Sequence, residues 1–150
     1  LYSNMDSLST LGINPPGPAH FPLKGWAEFA RMIQPLIERD FYGKKPTGPI
    51  TAPNLKQARY ASAAKDTITL QFDQPVIWKN ELISEFYLDG AKGKVASGSA
   101  NGNTVTLKLK APSTATKITY VNEMSWSQDR LLIGKNGIAA LTFYEVTIGS

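Results

Sequence analysis

The sequence has 150 residues, a length that fits one ordinary domain or one domain plus a fragment. Hydrophobic residues make up 42% of it and charged residues 19%, the composition of a globular protein. No stretch approaches the run of about 18 apolar residues that a membrane-spanning helix needs, so we expect a soluble protein with no membrane partner. With no cysteine and a single histidine, His20, the chain offers no thiolate or multi-imidazole site, and we predict no metal and no cofactor.

The formal net charge is +4, but Lys and Arg are scattered along the chain, and the longest basic run is Lys44-Lys45. Nucleic-acid-binding domains normally show a basic stripe or a dense basic patch. We therefore predict no nucleic-acid partner.

The first 45 residues indicate a loop followed by one helix. The run Asn14-Pro15-Pro16-Gly17-Pro18 favours irregular structure up to about residue 21. Apolar residues then recur at the spacing of one helical face: Trp26, Phe29, Ala30, Ile33 and Ile37. We predict a helix from about 22 to 40 that places Trp26 in the core, has a kink or short break at Pro35 and ends before Gly43. Because an isolated helix of this length is marginal in water, we expect it to dock or to fray.

Residues 46–53 carry three prolines and predict a linker. After it the apolar period changes from 3.6 to 2, which is typical of half-buried strands. The candidate strands are 57–61, 67–72, 86–88, 94–97, 104–110, 118–120 and 141–148. The pair Asn101-Gly102 predicts a type I′ hairpin between a strand ending near Ser99 and one starting near Thr104. We predict a mainly β fold, an antiparallel Ig- or fibronectin-like β-sandwich over 54–150 without a helix longer than about two turns.

His20 is the one side chain suited to proton transfer near neutral pH. It stands in a proline-stiffened loop directly before the amphipathic helix, which is one way to hold an imidazole at the lip of a pocket. The same layout also fits a surface or structural histidine.

Residues 14–43 resemble the C-terminal block of SGNH (GDSL-type) ester hydrolases, in which the base histidine precedes the helix that closes the α/β domain. The resemblance is carried by His20-Phe21, Gly25, Ala27, Ala30, Pro35 and Tyr42-Gly43. A proline-rich linker and a β-module ending in residues 136–143 follow, an order similar to that of the sialate O-acetylesterase-like, carbohydrate-esterase branch.

The resemblance implies that His20 is the general base of a carboxylic-ester hydrolase, taking the proton of a serine hydroxyl and returning it to the leaving alcohol. The family usually places an aspartate three residues before this histidine, where this sequence has Gly17. Asp6, Asn14 or a backbone carbonyl is left as the orienting acceptor, and a Ser-His dyad is an alternative.

The resemblance divides the chain into a C-terminal remnant of an SGNH domain (1–45), a linker (46–53) and an accessory β-sandwich (54–150). It implies a missing N-terminal α/β hydrolase domain and an O-acylated, typically acetylated, carbohydrate substrate, and it favours an extracellular or periplasmic location. We predict that this chain alone is inactive, because the nucleophilic serine and the oxyanion donors belong to earlier blocks of the family's chain. Three serines precede the helix without lying in a strand-to-helix elbow: Ser3, Ser7 and Ser9.

The alternative hypothesis is a non-catalytic β-sandwich module that binds glycan or a partner domain. Trp78 and Trp126 flank predicted turns and are candidates for stacking on a sugar, although aromatic residues of a sandwich more often pack its core. The carboxylates near turns are expected to be solvated and show no spacing typical of a glycosidase pair: Asp73, Glu81, Glu85, Asp89 and Asp129.

Overall fold

The computed structural model describes residues 5–14, 20–122 and 127–150. Within these ranges one α-helix, α1 (Leu23–Tyr42), precedes the strands β1 (Leu55–Tyr60), β2 (Thr67–Phe72), β3 (Val76–Ile77), β4 (Phe86–Leu88), β5 (Val95–Asn101), β6 (Thr104–Leu109), β7 (Lys117–Tyr120), β8 (Ile133–Gly134) and β9 (Phe143–Gly149). Two short 3-10 helices, Asn80–Glu85 and Gln128–Arg130, lie between strands. None of the described helices is long and apolar enough to cross a lipid bilayer.

Seven strands form one curved sheet in the order β4-β7-β9-β1-β2-β6-β5, and β3 pairs with β8. The first 3-10 helix contacts both edge strands, β4 and β5, so the sheet nearly closes on itself. The mainly β prediction is confirmed, and no described helix after residue 53 exceeds two turns. The purely antiparallel arrangement is wrong at one place: the last strand, β9, enters between β7 and β1 and runs parallel to β1. This insertion joins the two halves of the sheet and leaves neither half with an open edge there.

Strands β2 and β6 bury one face, as the two-residue period predicts, whereas all three residues of β4 are buried. In β2, Ile68, Leu70 and Phe72 are buried, while the alternating Thr67, Thr69 and Gln71 are half-exposed. The Tyr120 ring packs between Phe86 and Phe143, at centroid distances of 5.1 and 5.6 Å. Burial raises the pKa of the Tyr120 phenol well above its ordinary value, and its oxygen accepts a hydrogen bond from the backbone N–H of Leu132 at 2.6 Å.

The predicted hairpin between β5 and β6 is present, but its turn differs by one residue. Asn101 pairs with Thr104, so the central residues of the turn are Gly102 and Asn103. Of these two, only Gly102 has a positive φ, 58°. A two-residue turn with glycine first and one positive φ is of type II′ character, not the predicted type I′.

α1 follows the predicted bounds closely. It starts directly after Pro22, and Gly43 ends it in the left-handed conformation with φ 64°. The predicted break at Pro35 is absent, since the helix is continuous through that residue. A proline removes one backbone donor, here the bond to the carbonyl of Arg31, and we attribute the tolerance of this loss to the tertiary packing of the helix.

A second, smaller core holds α1 on the β-module. Its buried residues come from four separate segments: Ile13, Met32, Ala52 and Ile138. Gly12 lies so close to the last loop that a Cβ there would stand 2.8 Å from the Cβ of Ala139. The side-chain amide of Gln128 donates a hydrogen bond to the backbone carbonyl of Ile13 at 3.2 Å. The helix therefore docks and does not fray. The division of the chain at 45 and 53 stays a prediction.

We expect Met32→Ala to lower the free energy of unfolding by about 2–4 kcal/mol, because Met32 is 4% exposed and its removal leaves a cavity in the second core. The matched variant is Ile37→Ala on the same helix, which should cost less than about 1 kcal/mol because Ile37 is 44% exposed. Urea unfolding followed by circular dichroism measures both. Equal costs would contradict this packing of the helix.

Gly98→Ala should lower the free energy of unfolding by about 1–3 kcal/mol, since an added Cβ would lie 2.2 Å from Cζ2 of Trp78 and force the ring off its place. Gly48→Ala is the control, because no atom lies within 4 Å of its Cβ position and its φ is not left-handed. Thermal unfolding of the two variants tests the contact. A Gly98→Ala protein as stable as the control would show that Trp78 does not pack there.

Candidate functional site

His20 is exposed and stands three residues before the first residue of α1. Within the described ranges, no residue forms a hydrogen bond or an ion pair with its ring. An exposed imidazole can exchange a proton with solvent or with a group docked beside it.

The residue after His20 is fixed by an aromatic cluster. Phe21 meets Trp26 edge to face at a centroid distance of 5.4 Å and lies 6.1 Å from Phe29. Trp26 and Phe29 are themselves 6.2 Å apart. Such contacts add about 0.5–1.5 kcal/mol each to the burial of the rings. They hold the backbone beside His20 against the first two turns of α1.

The predicted apolar face of α1 is largely uncovered, and the placement of Trp26 in the core is wrong. Trp26 is 47% exposed. With Ala30, Ile33 and Ile37 it lines an open hollow of about 820 Å³ that runs along the helix. The reason is geometric: α1 docks through Met32, and at about 100° of rotation per residue Ile33 points about 100° away from it.

Paired charges border this hollow. Glu28 forms an ion pair with Arg31, and the guanidinium lowers the pKa of that carboxyl. Further along the helix Glu38 accepts hydrogen bonds from Lys44 at 2.8 Å and Gln34 at 3.0 Å, and these bonds lower its pKa. An apolar centre with a polar rim is the composition of a protein interface.

The structure removes one candidate for orienting His20. The carboxylate of Asp6 pairs with Arg39, near the C-terminal end of α1. Arg39 is 16 residues beyond Leu23, which corresponds to about 24 Å along the helix axis. Asp6 is therefore remote from His20. Asn14 is exposed and forms no hydrogen bond with the His20 ring, so an orienting backbone carbonyl stays a prediction, and Gly17 lies outside the described residues. Among the serines, Ser9 is buried, Ser7 is exposed, and Ser3 also lies outside the described residues.

Trp78 packs the β-module. It is half-buried, stacks on Phe86 with the ring centroids 6.0 Å apart, and covers Gly98. Its Nε1 is buried as well and has no hydrogen-bond partner among the described residues, which does not fit a ring held open for a sugar. Trp126, the other candidate for stacking, lies outside the described residues.

One carboxylate near a turn is not solvated as predicted. Glu85 is 0% exposed, because it ends the first 3-10 helix under the edge of the sheet. Its Oε1 lies 2.9 Å from Nε of Arg130 and accepts a hydrogen bond from Ser84 at 3.0 Å. Arg130 is only partly buried, and its charge offsets part of the desolvation cost of the Glu85 carboxylate. The other four carboxylates are exposed. No three potential metal ligands lie together among the residues that the structure describes.

The chain is similar to a known protein in fold, but no match was found by sequence. No protein-family model matches the chain, and no curated protein matches it in sequence. Among solved structures, the chain is similar to a carbohydrate acetylesterase from Xanthomonas citri, with a TM-score of 0.60 and 17% identity over 88% of this chain and 30% of that one. A match of 88% of 150 residues has to begin by residue 19, so it takes in α1 as well as the β-module. The chain spans less than a third of the length of that enzyme and shares its fold over this part.

Proposed function

We propose that the chain is the C-terminal part of an SGNH-type carboxylic-ester hydrolase that removes O-acyl groups, typically acetyl, from carbohydrate. In this proposal His20 is the general base and the β-module is an accessory unit. The observation that carries it is the uncovered apolar face of α1, which begins directly after an exposed histidine.

We infer that the exposed apolar face of α1 packs against another domain. Trp26 and Ile37 leave nearly half of their surfaces in water, while α1 packs on its other side through Met32. Contiguous exposed apolar surface with a charged rim marks an interaction site. The partner we propose is an α/β domain earlier in the same polypeptide, because the structurally similar acetylesterase has more than two thirds of its length outside the match.

His20 then works at the boundary between the two parts. A serine hydroxyl of the α/β domain attacks the ester carbonyl while the His20 imidazole accepts the hydroxyl proton. The imidazolium returns this proton to the departing sugar oxygen, and the acyl group remains on the serine. In the second half-reaction His20 accepts a proton from water, the resulting hydroxide attacks the acyl carbon, and the imidazolium returns the proton to the serine oxygen as the carboxylic acid leaves. Phe21 and its aromatic neighbours hold the histidine in place.

In the longer protein that this proposal requires, His20→Ala should lower kcat by on the order of 10² to 10⁴, because loss of a general base removes proton transfer from the transition state. The ring makes no polar contact within the described ranges, so the melting temperature should hardly change. Lys24→Ala, an exposed change in the first turn of α1, is the control and should keep full activity. Steady-state kinetics with an acetylated oligosaccharide decides the role of His20: an active but destabilised His20→Ala enzyme would assign it to structure alone.

The 150-residue chain by itself should hydrolyse p-nitrophenyl acetate no faster than free imidazole at the same concentration. A base without nucleophile and oxyanion donors keeps little of the rate enhancement of an intact site. Release of p-nitrophenol is followed by absorbance. Hydrolysis that a serine-directed inhibitor abolishes would reveal a nucleophile within the chain and refute the prediction.

A further inference from the structure

Six lysines that are far apart in the sequence converge at one end of the β-module. They lie in or beside the connections β1–β2, β4–β5 and β6–β7: Lys65, Lys92, Lys94, Lys108, Lys110 and Lys117. We call this group the basic end.

Backbone hydrogen bonds tie the three connections together. The carbonyl of Lys65 accepts from the N–H of Ser113 at 2.9 Å, and the carbonyl of Lys94 accepts from the N–H of Lys110 at 2.9 Å. The carbonyl of Lys117 accepts from the N–H of Asp89 at 3.0 Å. The antiparallel pairing of β2 with β6 places Lys108 opposite Thr67, at the same end of the sheet.

The positive charge of the basic end is only partly neutralised locally, because two carboxylates lie beside six lysines. Its two carboxylates are engaged by other groups: Asp89 accepts from the backbone N–H groups of Thr116 and Lys117, and Asp66 accepts from the hydroxyl of Thr67. No ion pair involves any of the six lysines within the part of the chain that the structure describes. Six lysines and two aspartates carry a charge of +4, which equals the net charge of the whole chain. All six lysines except the half-buried Lys117 are exposed.

We propose that the basic end binds a carboxylated polysaccharide, a chain of uronic-acid sugars. The choice of a carbohydrate rests on the proposed function. The choice of spaced carboxylates rests on charge complementarity: the six ammonium groups are spread over three connections, and a lysine lacks the fork with which an arginine holds one carboxylate or phosphate bidentately. Several such weak contacts along one polymer add up through effective concentration.

The aromatic residues argue against a nucleic acid at this place. The ammonium groups of Lys65 and Lys92 lie over the rings of Tyr60 and Tyr87, 5.4 and 5.8 Å from the ring centroids. Both tyrosines are only 6% exposed. Single-stranded nucleic acids are held by open aromatic rings on which bases stack, and these rings are covered.

The test compares two triple variants of the chain with equal loss of charge. Lys92, Lys94 and Lys110 are replaced by Gln at the basic end; Lys24, Lys45 and Lys135, all exposed and outside it, are replaced by Gln in the control. Binding to polygalacturonate, to its fully methyl-esterified form and to single-stranded DNA is measured by isothermal titration calorimetry at two salt concentrations. Thermal melts confirm that both variants are folded.

The proposal expects the unaltered chain to bind polygalacturonate, with affinity that falls as salt rises, and to ignore the esterified polymer. The basic-end variant should lose about tenfold or more in affinity and the control variant less than about twofold. Absence of binding by the unaltered chain, equal losses in both variants, binding of the esterified polymer, or tighter binding of DNA would each overturn it. Because this assay involves no hydrolysis, its failure is separate from a failure of the His20 assignment.

Discussion

Met32 packs with Ile13, Ala52 and Ile138 in a small core that binds α1 to the β-module. This contact decides which side of the helix meets water, because a helix is rigid and its faces are set once one of them is docked. With Met32 turned inward, Trp26 and Ile37 are turned outward. The open hollow and the place of His20 at its start both follow from this one packing choice.

A helix that is apolar on two sides suits a position between two packed bodies. One side of α1 meets the β-module, and in our proposal the other side meets the domain that carries the nucleophile. His20 would then be held at the interface between the two domains, with Phe21 packed on the helix beside it. In such an arrangement the accessory module contributes to catalysis by fixing the base, although no residue of the β-strands takes part in the reaction.

Much of the fold could be predicted from the sequence, because residue type and spacing set where a helix ends and which face of a strand is buried. Gly43 ends the helix where a left-handed residue is needed, and the alternation of β2 and β6 follows from burial on one face. Contacts between residues far apart in the sequence could not be predicted from the pattern. The pattern predicts an apolar face on α1 but not that Met32 on a neighbouring face would be the one to dock. It also shows Glu85 near a turn without its partner Arg130, which comes from a distant 3-10 helix. For the candidate site, the sequence singles out His20 in front of an amphipathic helix, while the pairing of Asp6 with Arg39 and the gathering of the scattered lysines depend on topology.

The central claim, that the outer face of α1 is an interface between domains, is tested most directly by hydroxyl-radical footprinting of the chain alone and of the longer protein that contains the proposed α/β domain. The oxidation rates of Trp26 and Ile37 are compared by mass spectrometry, with Met32 as the internal reference because it is buried by the β-module in either case. Our account predicts that Trp26 and Ile37 are oxidised readily in the chain alone and are protected severalfold in the longer protein, while Met32 is protected in both. Equal oxidation of Trp26 and Ile37 in the two proteins would contradict it.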